Sequence, residues 1–162
     1  MKNKLSQLAL IGVFCLFSGA VNGQPNLDGE HVNKNKSGVA IQGYDPVSYF
    51  IEEDPAEGVE SFKYTYNGAT YYFKSESNLI KFKNNPDAYA PKYGGWCAYA
   101  MGVSGDKVKI DPETYKIVDG MLYLFYNFRF TNTLTKWNED ETNLLPKANE
   151  YWRKITEPKS GQ

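Results

Sequence analysis

An Asn67-Gly68 pair set between two aromatic-rich runs constrains this chain more than any other feature. Both central residues of a type I′ turn need positive φ, and Asn-Gly supplies them, so the flanking runs are expected to pair as an antiparallel hairpin. That register sets Tyr66 opposite Ala69, Tyr64 opposite Tyr71 and Phe62 opposite Phe73. One face of the ribbon is then almost wholly aromatic, with Lys63, Thr65 and Tyr72 on the other. Ser75 follows as an N-cap with Glu76 in the first turn, and Leu79, Ile80 and Phe82 form an apolar helical stripe. A two-stranded ribbon is not stable alone in water, so the helix must fold back on the aromatic face. Residues 61–95 read as one compact ββα unit.

The chain is long enough for one globular domain, at 162 residues with 41% apolar content and a net charge of −1. Its start is of another kind. Lys2 and Lys4 precede the apolar run LALIGVFCLF, and Val21-Asn22-Gly23 offers small residues for cleavage before Gln24. Residues 1–23 are therefore read as a secretory signal peptide, too short for a membrane span, with the mature protein exported to the periplasm or the medium. Losing Lys2 and Lys4 takes 18 basic residues to 16 against 19 acidic ones, a net charge of about −3. No basic cluster remains to attract nucleic acid or an anionic membrane. Cys15 is lost as well. Cys97 is then alone and cannot form an internal disulfide, so it is buried and inert, an intermolecular partner, or a ligand.

Residues 24–37 are polar and aperiodic and read as a flexible leader, in which His31 is the one histidine of the sequence. The domain proper is set at 38–157 and a tail at 158–162. Gly38-Val-Ala-Ile-Gln-Gly43 reads as a short strand, and Asp45-Pro46 as an N-cap with proline at the first helical position. Pro86-Asp87-Ala88-Tyr89 opens a short helical turn. Paired Gly94 and Gly95 beside Trp96 and Cys97 allow a close backbone approach, a place where something is held tightly. A second hairpin turns at Asp119-Gly120, and its second strand, Met121 to Tyr126, is apolar on both faces, as in a covered sheet. A helix is expected from Asn127 to Trp137 with Phe130, Leu134 and Trp137 on one face, and another from about Asn143 to Ile155. The fold class is α+β: a small antiparallel sheet built from two β-hairpins, covered by short helices, with a C-terminal amphipathic helix.

Gly43-Tyr-Asp-Pro-Val-Ser-Tyr-Phe50, Tyr71-Tyr-Phe-Lys-Ser75, Asn85-Pro86-Asp87-Ala-Tyr89 and Tyr93-Gly-Gly-Trp-Cys-Ala-Tyr99 together resemble the YHS-domain family, and within it the exported single-domain bacterial branch. The metal-binding members of the wider family, similar to treble-clef-like TRASH domains, place one cysteine after Asp-Pro-Val and two more in a Tyr-Tyr-Phe-Cys-Ser-x-x-Cys pattern. Laid on this sequence, those positions are Ser48, Lys74 and Asn78. None is a soft donor, so the thiolate centre that the resemblance implies for those members is absent.

Two functional readings follow. In the first, the chain is a non-enzymatic exported binding protein handling a transition metal, copper, through Cys97 with Met101 one helical turn on. In the second, it is a small-ligand or protein-interaction module, without metal, whose aromatic cleft is drawn from Tyr44, Asp45, Tyr93, Trp96 and Tyr99. A packed Cys97 with Met101 as gap filler is the ordinary alternative to the first. Catalysis fits poorly, because a cysteine nucleophile needs a base and the one histidine lies in the leader.

Overall fold

The Asn67-Gly68 turn joins strands β1 (Val59–Tyr66) and β2 (Ala69–Phe73) with φ of 48° and 70° at its two central residues, the left-handed pair that a type I′ turn requires. The computed structural model describes residues 29–52 and 54–157. The expected signal peptide, the first residues of the leader and the tail at 158–162 lie outside the described residues. Tyr66 pairs with Ala69 and Tyr64 with Tyr71 as the sequence predicts, but Phe62 does not pair with Phe73. The register slips between Val59 and Lys63, and Val59 takes the place opposite Phe73. Gly58 explains the slip. A Cβ there would stand 2.4 Å from the carbonyl carbon of Tyr72, so only glycine lets β1 enter so close to β2.

Helix α1 (Ser48–Ile51) precedes this hairpin, and α2 (Glu76–Asn84) and α3 (Pro86–Tyr89) follow it. Ser75 caps α2 by accepting the Asn78 N–H, and the acidic Glu76 sits in the first turn, where it suits the helix dipole. Fully buried Phe82 is the hub of the aromatic face, with ring centroids 5.0 to 6.3 Å from Tyr64, Tyr66, Tyr71 and Phe73. Ile80, expected on the buried stripe, is 51% exposed, and Asn78 takes the inward position instead. Asn78 and Phe82 are one turn apart and share a face, whereas Ile80 lies halfway round the helix from either.

The second half is built round β4 (Met121–Phe125), paired with β3 (Asp111–Val118) through the Asp119-Gly120 turn. Leu122, Tyr123, Leu124 and Phe125 are all buried, as a strand covered on both faces demands. The two hairpins stand as separate two-stranded ladders rather than neighbours in one sheet. Helices α4 (Ala98–Ser104) and α5 (Thr133–Thr156) pack on each other beside β4. Gly102 permits their close approach, since a Cβ there would lie 2.8 Å from the Leu144 carbonyl oxygen. No described helix is long and apolar enough to cross a membrane.

The helix expected from Asn127 begins six residues later. Residues 127–132 form a tight hairpin, β5 (Asn127–Phe128) with β6 (Thr131–Asn132), turning through Arg129 at φ 53°. Phe130 therefore stands out in solvent rather than on a buried face. Asn132 then caps α5 by accepting the Leu134 N–H at 2.9 Å, which is why the helix starts there. Trp137, Leu144, Ala148 and Trp152 carry its buried stripe past a break at Asp140 and past Pro146. Gly38 to Gly43 is not a regular strand. It makes isolated bridges to Thr70 and Lys34, then a 3₁₀ turn over Ile41–Gly43.

Candidate functional site

The Asp45-Pro46 pair, expected to cap a helix, opens a turn instead, and α1 starts two residues later with Val47 as its N-cap. The Asp45 side chain is wholly buried and accepts three hydrogen bonds. Oδ1 takes the Val47 N–H at 2.8 Å, and Oδ2 takes the Lys74 N–H at 2.9 Å and the Asn78 side-chain amide at 2.7 Å. Ser48 completes the group, its hydroxyl donating to the Asp45 carbonyl oxygen at 2.7 Å and accepting the Ala56 N–H at 2.9 Å. Ser48, Lys74 and Asn78, the three positions where the resemblance implies cysteines, thus converge on one aspartate, Ser48 on its backbone carbonyl and the other two on its carboxylate. A buried carboxylate is tolerable when its lone pairs are filled, as here. The place of a thiolate centre is held by a hydrogen-bonded knot tying α1, β2 and α2 together. The Lys74 ammonium lies outside it, paired with Glu52 at 2.5 Å.

Cys97 and Met101 lie one turn apart at the start of α4, and both are fully buried. The Cys97 sulfur is 3.3 Å from the Thr133 hydroxyl and receives the Tyr126 N–H at 3.4 Å. Thr133 has one hydroxyl proton, and it reaches the Tyr126 carbonyl at 2.9 Å, which leaves the Cys97 S–H as donor to Thr133. Among the described residues no group of three or more His, Cys, Asp or Glu side chains could hold a metal ion. Copper(I) wants several soft donors, and this sulfur has a hydroxyl and an amide. Met101, one turn on and equally buried, is the second sulfur of the expected pair, and two soft donors are fewer than such a site wants.

The paired glycines do hold something tightly: the chain's own N-terminal segment. Gly94 has φ 60°, and a Cβ on it would lie 2.3 Å from the His31 carbonyl oxygen. The Gly94 carbonyl accepts the Asn33 N–H at 2.8 Å, the Gly95 carbonyl accepts the Asn33 side-chain amide at 2.9 Å, and Trp96 Nε1 donates to the His31 carbonyl at 3.0 Å. With Val32 buried, residues 31–33 are a strap seated on the domain, where the polar sequence predicts a flexible leader. Its fixed points are backbone groups, the buried Val32 and the Asn33 side chain, all answered by residues distant in sequence, which composition does not reveal.

The residues of the expected aromatic cleft are separately engaged. Tyr44 donates its hydroxyl to Glu113 at 2.9 Å, and that bond, with burial and the nearby carboxylates, pushes its pKa up to about 12. Tyr93 is in the core and donates to Asn149 at 2.9 Å, its pKa raised by burial. Tyr99 lies under the Lys136 ammonium, 5.9 Å from ring centroid to nitrogen. Tyr99 also lines a surface cavity with Gly102, Val103, Lys136 and Leu144.

A different cavity has the mixed lining of a small-ligand site. It measures about 300 Å³ and lies between the strap and the loop before β3. Val39, Ile41 and Ile110 give it an aliphatic lining, and Asn33, Lys34, Asn35, Gln42 and Lys109 its polar groups. Ile41 and Gln42 adopt φ of 49° and 54°. A β-branched residue in the left-handed region is an outlier that the surrounding structure must enforce. The Gln42 side chain secures the turn by donating to the Ile110 carbonyl at 2.7 Å. These residues come from two distant stretches, so no local pattern could have announced them.

The family model described as YHS domain matches residues 52–93, from the end of α1 through Tyr93. Lys74 and Asn78 fall inside the match, while Asp45, Cys97 and the strap fall outside it. No curated protein and no solved structure matches the chain.

Proposed function

Taking residues 52–93 as a YHS domain, we propose that this chain is an exported, non-enzymatic binding protein that holds a small organic molecule in the cavity beneath its N-terminal strap. The observation that carries this reading is the pair Ile41 and Gln42, two non-glycine residues held at positive φ in the wall of that cavity. Strain of this kind costs on the order of 1–3 kcal/mol at each residue and tends to collect at binding sites. Export is supported by Lys2 and Lys4 before an apolar run and by small residues ahead of Gln24. The Asp45 knot supports a structural rather than metal-binding use of the positions that carry cysteine in metal-binding relatives. Among the described residues the hydrogen-bond partners of the Cys97 sulfur are Thr133 and the Tyr126 amide, neither of them a base, and this supports a role outside catalysis.

The test is nuclear magnetic resonance of the nitrogen-15-labelled mature chain against a panel of small acids, amines, alcohols and sugars. Saturable shifts clustered at the Val39, Ile41, Gln42 and Ile110 amides are expected for at least one class. A panel that leaves those amides unmoved, or that moves residues around Cys97 instead, overturns the reading.

A further inference from the structure

We infer that the cavity beneath the strap is selective for a short aliphatic carboxylate that also carries one hydrogen-bond donor, a 2-hydroxy or 2-amino acid with a branched apolar side chain. The inference rests on the binding reading above and adds the chemistry of the ligand.

The charge balance of the lining gives the acid. Among the described residues that line it are two lysines and no carboxylate. Lys34 uses one of its three N–H donors on the Gly68 carbonyl at 2.7 Å, and Lys109 has no hydrogen bond or ion pair with any described residue. An ammonium beside a cavity that lacks a counter-charge favours an anion, and a charge-assisted bond to it is about twice as strong as a neutral one.

The amides give the second group. Gln42 uses one amide N–H on Ile110 and Asn33 one on Gly95, and neither side-chain oxygen has a partner among the described residues. Asn35 is the reverse: its oxygen accepts the Ser37 and Val39 N–H groups at 2.9 and 3.0 Å, leaving donors. The lining thus offers cationic and amide donors for a carboxylate and two free acceptors for a hydroxyl or ammonium. Val39, Ile41 and Ile110 are aliphatic and no aromatic ring joins them, so the third part of the ligand is an aliphatic side chain rather than a flat ring.

Calorimetry and nuclear magnetic resonance on the mature chain, with three probes sharing one branched tail, test this. The probes are 2-hydroxy-4-methylpentanoate, 4-methylpentanoate and 3-methylbutylamine. The hydroxy acid is expected to bind tightest, the plain acid about tenfold more weakly, and the amine not at all. Lys109→Gln should weaken the hydroxy acid by about tenfold or more while leaving the thermal unfolding curve in place, since Lys109 is exposed and has no partner among the described residues. Asn35→Asp, which keeps the oxygen that accepts from Ser37 and Val39 but puts a carboxylate in the lining, should abolish acid binding. Binding of the amine with shifts at Ile41 and Ile110 would overturn the acid selectivity and leave the cavity reading standing. No shift at those amides with any of the three probes would overturn the selectivity too, and the wider panel above then decides whether the cavity binds at all. Equal binding of both acids would overturn the role given to the two free acceptors.

Discussion

The Asp45 carboxylate and the Asn78 side-chain amide meet at 2.7 Å across 33 positions of sequence, both buried. This single bond joins the turn before α1 to the first turn of α2. The Lys74 amide meets the same oxygen, so the carboxylate also fixes the end of β2.

Removing that carboxylate leaves three donors without their acceptor. Asp45→Ala is expected to destabilise the fold by about 3 kcal/mol or more, and Asn78→Ala by about 2 kcal/mol, given what buried donors and charged hydrogen bonds contribute. Urea unfolding measures both. The double variant should fall short of the sum, because the two residues share one interaction. Additive losses would mean that the bond is incidental.

Gly94 is the clamp for the strap, with positive φ and no room for a Cβ. Gly94→Ala should lose about 2 kcal/mol or more and speed hydrogen exchange of the Asn33 amide. Gly120→Ala serves as control, because Gly120 has positive φ in open space and should lose only about 1 kcal/mol from backbone strain. Equal effects at the two sites would contradict the clamp.

The Glu141 carboxylate accepts from the Lys116 ammonium and from Trp137 Nε1, the latter at 2.7 Å. The Lys116 bond comes first in holding its pKa below the ordinary 4.5, with Trp137 assisting. A carboxylate with a depressed folded pKa adds stability that is present above 4.5 and lost as pH falls through the folded value. Stability of the wild type should therefore drop on acidification in that window, and Glu141→Gln should flatten the drop. A Gln variant with an unchanged acid limb would contradict the assignment.

Cys97→Ala removes a buried sulfur and its contact with Thr133 and should cost about 1–2 kcal/mol as a small cavity forms. Binding at the strap cavity should be unaltered. Parallel loss of ligand affinity would place the sulfur in the binding machinery.

Much of this molecule could be read from residues close together in sequence. The Asn67-Gly68 and Asp119-Gly120 turns, the Ser75 cap, the Phe82 hub and the covered strand β4 each depend on local conformational preference or periodicity. The errors have equally physical causes. Phe62 lost its partner because Gly58 brings two backbones together, and Phe130 went to solvent because Asn132, not a residue before Asn127, caps α5. Asn78 was legible as a polar residue one turn before Phe82 on an inward face, a signal outweighed by the nearby Ile80. The strap and its cavity were not legible. They depend on carbonyls, positive φ at Ile41, and contacts between residues near 33 and near 110.

The most direct test is native mass spectrometry, with elemental analysis, of the chain purified gently from its native source. The account predicts a mature chain beginning at Gln24 that carries a small organic acid and no stoichiometric copper. One copper per chain, absent from the Cys97→Ala variant, would contradict it.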